Sequence, residues 1–153
     1  MKLLHWPFGR REPDWQRPEP PASVTVEAVG YVRSPVIRPR PHGWANVESA
    51  IEFLPGHAGR LEGLERYRHV IVVTYLDVAA GAPEKPERMR LADGLEYGIF
   101  ATRSQLRPNH LGVTVAAVLG REGLTLRLRG LDAIDRTPVL DVKPYLPEHD
   151  AHP

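Results

Sequence analysis

An all-β fold, a small barrel or sandwich, is what this sequence predicts, and three observations carry the prediction. The 153 residues include 16 prolines and 13 glycines, and proline costs roughly 3 kcal/mol inside a helix, so long helices are disfavoured. From Val24 onward the apolar residues come in short runs rich in β-branched side chains, bounded by Gly, Pro or charged turns, which is the strand signature. No strand–helix–strand rhythm accompanies them. With 42% hydrophobic residues, the chain has material for one core at the length of one domain.

The elements follow in order. Residues 1–22 hold five prolines and the isolated aromatics Trp6, Phe8 and Trp15 without periodicity, so they form a flexible extension ahead of a domain spanning 23–150. Residues 24–32 alternate as a first strand, stopped at Arg33-Ser34-Pro35, and residues 50–54 make a second. Residues 56–67 space Leu61 and Leu64 for one or two helical turns. Residues 69–76 are nearly all apolar, as expected of a strand buried on both faces at the centre of the fold. Residues 79–94, dense in breakers and charges, read as a mobile loop. Strands are expected at 97–102 and 113–119. A tight turn at 120–123 leads into the clean alternation of 124–129, giving a hairpin, and 138–142 closes the list of seven strands.

Several function classes are excluded or disfavoured. The net charge of +1, from 20 Lys/Arg against 19 Asp/Glu, gives no global attraction to nucleic acid or anionic membranes. Cysteine is absent, which removes disulfides and thiolate chemistry and suits a reducing cytoplasm. The longest apolar run falls far short of the roughly 20 residues of a membrane span, and no signal peptide is legible. Glycine-rich phosphate loops, the nucleophile elbow and the helical zinc motif are missing. The seven histidines lack metal-ligand spacing within the domain, so no metal is expected. Arg127 and Arg129 share one face of a strand, with Arg121 and Arg136 nearby, as a backbone-binding stripe or an ordinary solvated face.

Three stretches are polar and proline-punctuated: 33–43, 101–112 and 130–147. Each combines fixed backbone angles with side chains able to hold a ligand, and loops of a rigid scaffold are where binding residues gather. Within and around them stand Gly30-Tyr-Val-Arg-Ser-Pro35, Gly63-Leu-Glu-Arg-Tyr-Arg-His69, Gly98-Ile-Phe-Ala-Thr-Arg-Ser104, Arg107-Pro-Asn109 with Gly112, and Asp135-Arg-Thr-Pro-Val-Leu-Asp-Val-Lys-Pro-Tyr-Leu-Pro147. In these blocks and their order, across about residues 24–150, the chain closely resembles the TrmO family, also called YaeB-like or TsaA-like.

The resemblance implies a homodimeric β-barrel methyltransferase that uses S-adenosylmethionine and modifies N6 of threonylcarbamoyladenosine beside the anticodon of tRNA. A same-fold enzyme acting on a small molecule, and a silent cofactor-binding module, remain alternatives. Carried over by position, cofactor contacts fall at His42, Gly43, Asp77, Val78, Arg103, Val113, Leu131, Asp132, Ala133 and Ile134. Such a cofactor needs an apolar slot, a cation for its carboxylate and acids for its ribose or sulfonium, roles suited to Arg103 and to Asp132 or Asp77. Asn109, Asp141, Lys143 and Tyr145 are candidates to hold the methyl acceptor. The chain departs from the family pattern at Pro41 (commonly Gln), Asp77 (His), His110 (Pro) and Arg136 (Gly), and it ends without the further C-terminal segment of many bacterial members.

Overall fold

The computed structural model describes residues 16–152; the aromatics Trp6, Phe8 and Trp15 of the expected extension lie outside the described residues. Six strands close into an antiparallel barrel in the order β1-β2-β7-β6-β3-β8. These are β1 (Gly30–Arg33), β2 (Glu48–Phe53), β3 (His69–Tyr75), β6 (Leu111–Glu122), β7 (Thr125–Arg129) and β8 (Pro138–Pro144). Two strands, β4 (Arg88–Arg90) and β5 (Glu96–Gly98), form a separate ribbon, and α1 (Asp77–Ala80) and α2 (Pro147–Asp150) are single turns.

Alternation builds the barrel. Ile51, Leu126, Leu128, Val70, Val72, Val32 and Val139 point inward and are fully buried, with Leu131 beside them. Each such side chain contributes about 1.5–3 kcal/mol on leaving water. The outward positions of β2 and β7 include Glu48, Glu52, Arg127 and Arg129, and Arg127 faces Glu48 at 3.9 Å. Arg121 bonds Glu65 at 2.9 Å. Two of the four arginines considered for a stripe, Arg121 and Arg127, are thus paired with acids.

Four expectations needed correction. Regular strand begins at Gly30, not Val24: Val24 and Val26 are exposed, and pairing with β2 and β8 starts only at Gly30. The strand expected over 97–102 stops at Gly98, where Ile99–Ala101 coil into a 3-10 turn. There Thr102 Oγ1 donates to the Ile99 carbonyl, 2.8 Å, a side-chain bond that competes with a ladder. The expected loop over 79–94 contains α1's last turn and the whole of β4. Its Asp93-Gly94 pair turns the ribbon, with Gly94 at φ +81° and Asp93 accepting from Leu95 N and Tyr97 Oη.

The fourth correction concerns β3. Only one of its faces is buried, by Val70, Val72 and Thr74, while Ile71, Val73 and Tyr75 are half-buried on the outside. They pair with Val115, Val113 and Leu111 of β6, which are 47%, 49% and 42% exposed. The apolar run thus marks a strand with an apolar outer face. A register shift between Val73 and Thr74, opposite Leu140, interrupts the β3–β8 ladder, and Asp141 Oδ1 accepts from Val142 N there.

Candidate active site

All three proline-punctuated stretches contribute to one end of the barrel, where β3 ends and β6 begins. Leu76 N donates to the His110 carbonyl at 2.8 Å, extending the β3–β6 ladder into the loops. Around this rung lies an open groove of about 1050 Å³, lined by residues 100–114 with gaps and by Pro39, Arg40, Pro41, Leu76 and Asp132. A narrow recess of about 70 Å³ adjoins it, lined by Trp44, Asp77, Val78, Ala133, Ile134 and others. Pro39, Arg40, Leu76, Gln105 and Asp132 border both.

Local chemistry holds each wall. In the loop over 102–110, Ser104 N donates to Thr102 Oγ1 and Leu106 N to Ser104 Oγ, so hydroxyls do the work of a backbone turn. Arg107 Nη1 donates to the Thr102 carbonyl at 2.7 Å, and its guanidinium lies 5.9 Å from the Phe100 ring centroid. Arg40 Nη2 donates to the Gly43 carbonyl at 2.7 Å, and its guanidinium sits 4.9 Å from the Trp44 ring. Gly43 has φ +86°, a turn conformation that glycine adopts without penalty. At the groove floor, a Cβ on Gly112 would meet Thr74 Oγ1 at 2.5 Å, so only glycine lets β6 pack here.

The charged pair of the site is Arg103 and Asp132. Arg103 Nη2 donates to the Val113 carbonyl at 3.1 Å, which fixes the guanidinium above the strand. Burial pushes the Asp132 carboxyl above the ordinary carboxylate range, and the Arg103 charge pulls it partly back. Two departures from the family pattern fall on left-handed backbone. Arg136 stands at φ +68°, where the family's glycine would be unstrained. His110 stands at φ +50°, which no proline adopts; its ring is buried, with Nε2 lacking a partner.

Of the sequence-predicted residues, Asp77, Val78, Ala133 and Ile134 line the recess, Arg103, Asn109 and Val113 line the groove, and Asp132 borders both. Gly43 is tied to the site through Arg40, with His42 beside it, and the Leu131 side chain belongs to the core. Asp141, Lys143 and Tyr145 are not among the lining residues. Asp141 and Lys143 pair with each other on β8, opposite Val73 and Ile71 of β3, and Tyr145 packs edge-on against His69 at the other end of β3. Sequence reasoning missed Trp44, Leu76, Gln105, Phe100 and Arg107. The first is an aromatic beside the Pro-Arg turn, Phe100 immediately precedes the stretch 101–112, and Gln105 and Arg107 lie inside it. Among the described residues no cluster of three His, Asp or Glu side chains could hold a metal, and no helix is long and apolar enough to cross a membrane.

Residues 33–151 match the tRNA-methyltransferase O N-terminal domain. The chain belongs to this family. An S-adenosyl-L-methionine-binding protein of Archaeoglobus fulgidus is 35% identical over 131 residues, covering 83% of this chain and 93% of that protein. The human tRNA (adenine(37)-N6)-methyltransferase is 35% identical over 144 residues, covering 84% of this chain and 32% of the human protein. The crystal structure of TrmO from Pseudomonas aeruginosa superposes with a TM-score of 0.67 at 34% identity, covering 85% of this chain and 59% of that one. The chain thus spans nearly all of the archaeal relative, about three-fifths of the bacterial structure and a third of the human enzyme. The TrmO family's barrel is the barrel described above.

Proposed function

We propose that the chain is an S-adenosylmethionine-dependent methyltransferase that acts on N6 of an adenosine in tRNA, as a homodimer in the cytoplasm. The observation that carries this reading is that Arg103 lines the groove within electrostatic reach of Asp132, which borders groove and recess alike. The residue types fit the cofactor: the recess offers Trp44 and apolar walls for an adenine, Asp77 an acceptor for ribose hydroxyls, and Arg103 free guanidinium donors for a carboxylate. When bound, the cofactor supplies an electrophilic methyl group.

The protein's part is positioning and proton handling. An in-line transfer depends on holding the acceptor nitrogen against the methyl, which orientation alone accelerates strongly. Asn109, exposed on the groove wall, offers both a donor and an acceptor to an adenine edge. Asp132, whose carboxyl is raised by burial, is suited to take the proton that the nitrogen loses.

The apolar outer face of β3 and β6 supports the dimer, since patches of this kind on a soluble barrel mark association surfaces. Asp141 and Lys143 flank that face across β3, which puts them at the rim of such an interface; there they are proposed, with Tyr145, to help hold the acceptor. Sedimentation tests this part: the parent runs at twice the chain mass and Val115→Glu at one, whereas a monomeric parent removes the homodimer. For the activity, the protein is incubated with methyl-labelled cofactor and tRNA from cells lacking the native modification. Label in N6-methylated adenosine is the expected result; binding of cofactor by calorimetry without transfer to RNA would overturn the RNA assignment.

A further inference from the structure

Phe100 is the most exposed aromatic of the site, at 77%, and it lines the groove. Its exposure is built in. Ile99, its neighbour in the 3-10 turn, is buried, and Ile99 N bonds the Glu87 carbonyl at 2.8 Å, so the turn is anchored with the next side chain directed outward. The Thr102 hydroxyl locks the same turn from the other side. One neighbour of the ring is fixed as well: the Arg107 guanidinium, tethered to the Thr102 carbonyl, stands 5.9 Å from the centroid. The rest of the ring is open to the groove.

The surrounding charge selects among occupants. The groove is lined by three arginines, Arg40, Arg103 and Arg107, against one carboxyl, Asp132, although the chain as a whole is only +1. An exposed aromatic held among guanidinium groups suits a ligand that is flat, apolar on its faces and anionic along its backbone. Single-stranded nucleic acid meets that description, because its bases stack on aromatic rings and its phosphates take up the arginine charge. An apolar protein surface or a lipid tail would desolvate the Arg107 charge with only the Thr102 carbonyl to compensate it.

We propose that Phe100, backed by Arg107, is a positioning residue that stacks the unpaired nucleotide next to the methylated adenosine, with Arg107 contacting its phosphate. This rests on the RNA-methylating reading above. It adds a second nucleotide contact, so that the acceptor base is presented to Asn109 from a strand already held at its neighbour.

The test uses the full chain and a fluorescein-labelled anticodon stem-loop, with binding followed by anisotropy across a salt series and cofactor affinity followed by calorimetry. Phe100→Ala is expected to weaken RNA binding by about 5- to 150-fold, leaving cofactor affinity and sedimentation unchanged. Phe100→Trp restores binding and Phe100→Leu does not. Arg107→Gln lowers the salt slope by about 0.7, the loss of one phosphate contact on a single strand. RNA affinity of Phe100→Ala within twofold of the parent overturns the proposal, as does rescue by Leu, which would indicate plain apolar contact. Conversion of Phe100→Ala to a monomer also overturns it, by assigning the ring to a second copy. A parent that binds cofactor but no RNA overturns the RNA reading itself; a parent that binds RNA equally well with and without the ring overturns only the stacking role.

Discussion

Replacing Arg103 by alanine separates ligand recognition from folding. In the protein its guanidinium makes one hydrogen bond, to the Val113 carbonyl at 3.1 Å, and leaves its other donors facing the groove. Losing a single exposed bond of this kind costs about 0.5–1.5 kcal/mol, a fall of a few degrees in Tm for a chain of this size. If Arg103 holds the cofactor carboxylate, the bond lost there is charge-assisted, worth about 1.5–3 kcal/mol, so Kd for S-adenosylmethionine rises roughly 10- to 150-fold. Lysine should recover part of this, supplying the charge without the planar fork. Calorimetric titration of each variant with S-adenosylmethionine and with methylthioadenosine, which lacks the amino-acid carboxylate, isolates the contact. Arg103→Ala should weaken only the first ligand. An unchanged Kd, or an equal loss for both ligands, refutes the assignment.

Three further outcomes are expected. Gly112→Ala forces a Cβ to within 2.5 Å of the buried Thr74 hydroxyl and 3.1 Å of Leu76 Cδ2; it should cost about 1–3 kcal/mol by urea unfolding and also weaken cofactor binding, because Leu76 borders both cavities. Arg136→Gly relieves a left-handed residue worth roughly 1–2 kcal/mol against about 0.5–1 kcal/mol of added chain entropy, so Tm should hold or rise by up to about 4 °C, and a drop would count against the strain. Asp132 has a raised folded pKa, so its contribution to stability is fully present below the unfolded value of about 3.9 and is lost as pH rises through the folded one. Asp132→Asn should therefore gain Tm relative to the parent as pH rises from ~4 until the carboxyl is fully ionised; a pH-independent difference would refute the raised carboxyl.

Strands β2 and β7 were legible from alternation, and β3 and β6 from runs rich in apolar β-branched residues, because in all four the pattern coincides with pairing partners. Val24 to Ala28 alternate just as well, yet pairing starts only at Gly30, and periodicity carries no information about neighbours. The ribbon was hidden by the breaker density of 79–94, although Asp93-Gly94 between short apolar runs is itself a hairpin signal. At the site, the family blocks marked the loops that converge, since their backbone is held by local hydroxyl and carbonyl bonds written in consecutive residues. Trp44 and Leu76, outside the marked stretches, join the site only through the barrel's closure, a long-range fact. Asp141, Lys143 and Tyr145 were grouped with Asn109 by motif, while the direction of β8 carries them along the barrel wall, away from the groove.

The backbone at His110 limits which residues the position can hold. Its left-handed φ, its amide bond to the Arg107 carbonyl and its carbonyl bond to Leu76 are mutually reinforcing, and proline can satisfy neither the angle nor the donation. Proline at this position would therefore require the loop to take another path. Because its ring and backbone are held by Gln105, Arg107 and Leu76, substitutions at those positions should combine non-additively with changes at His110.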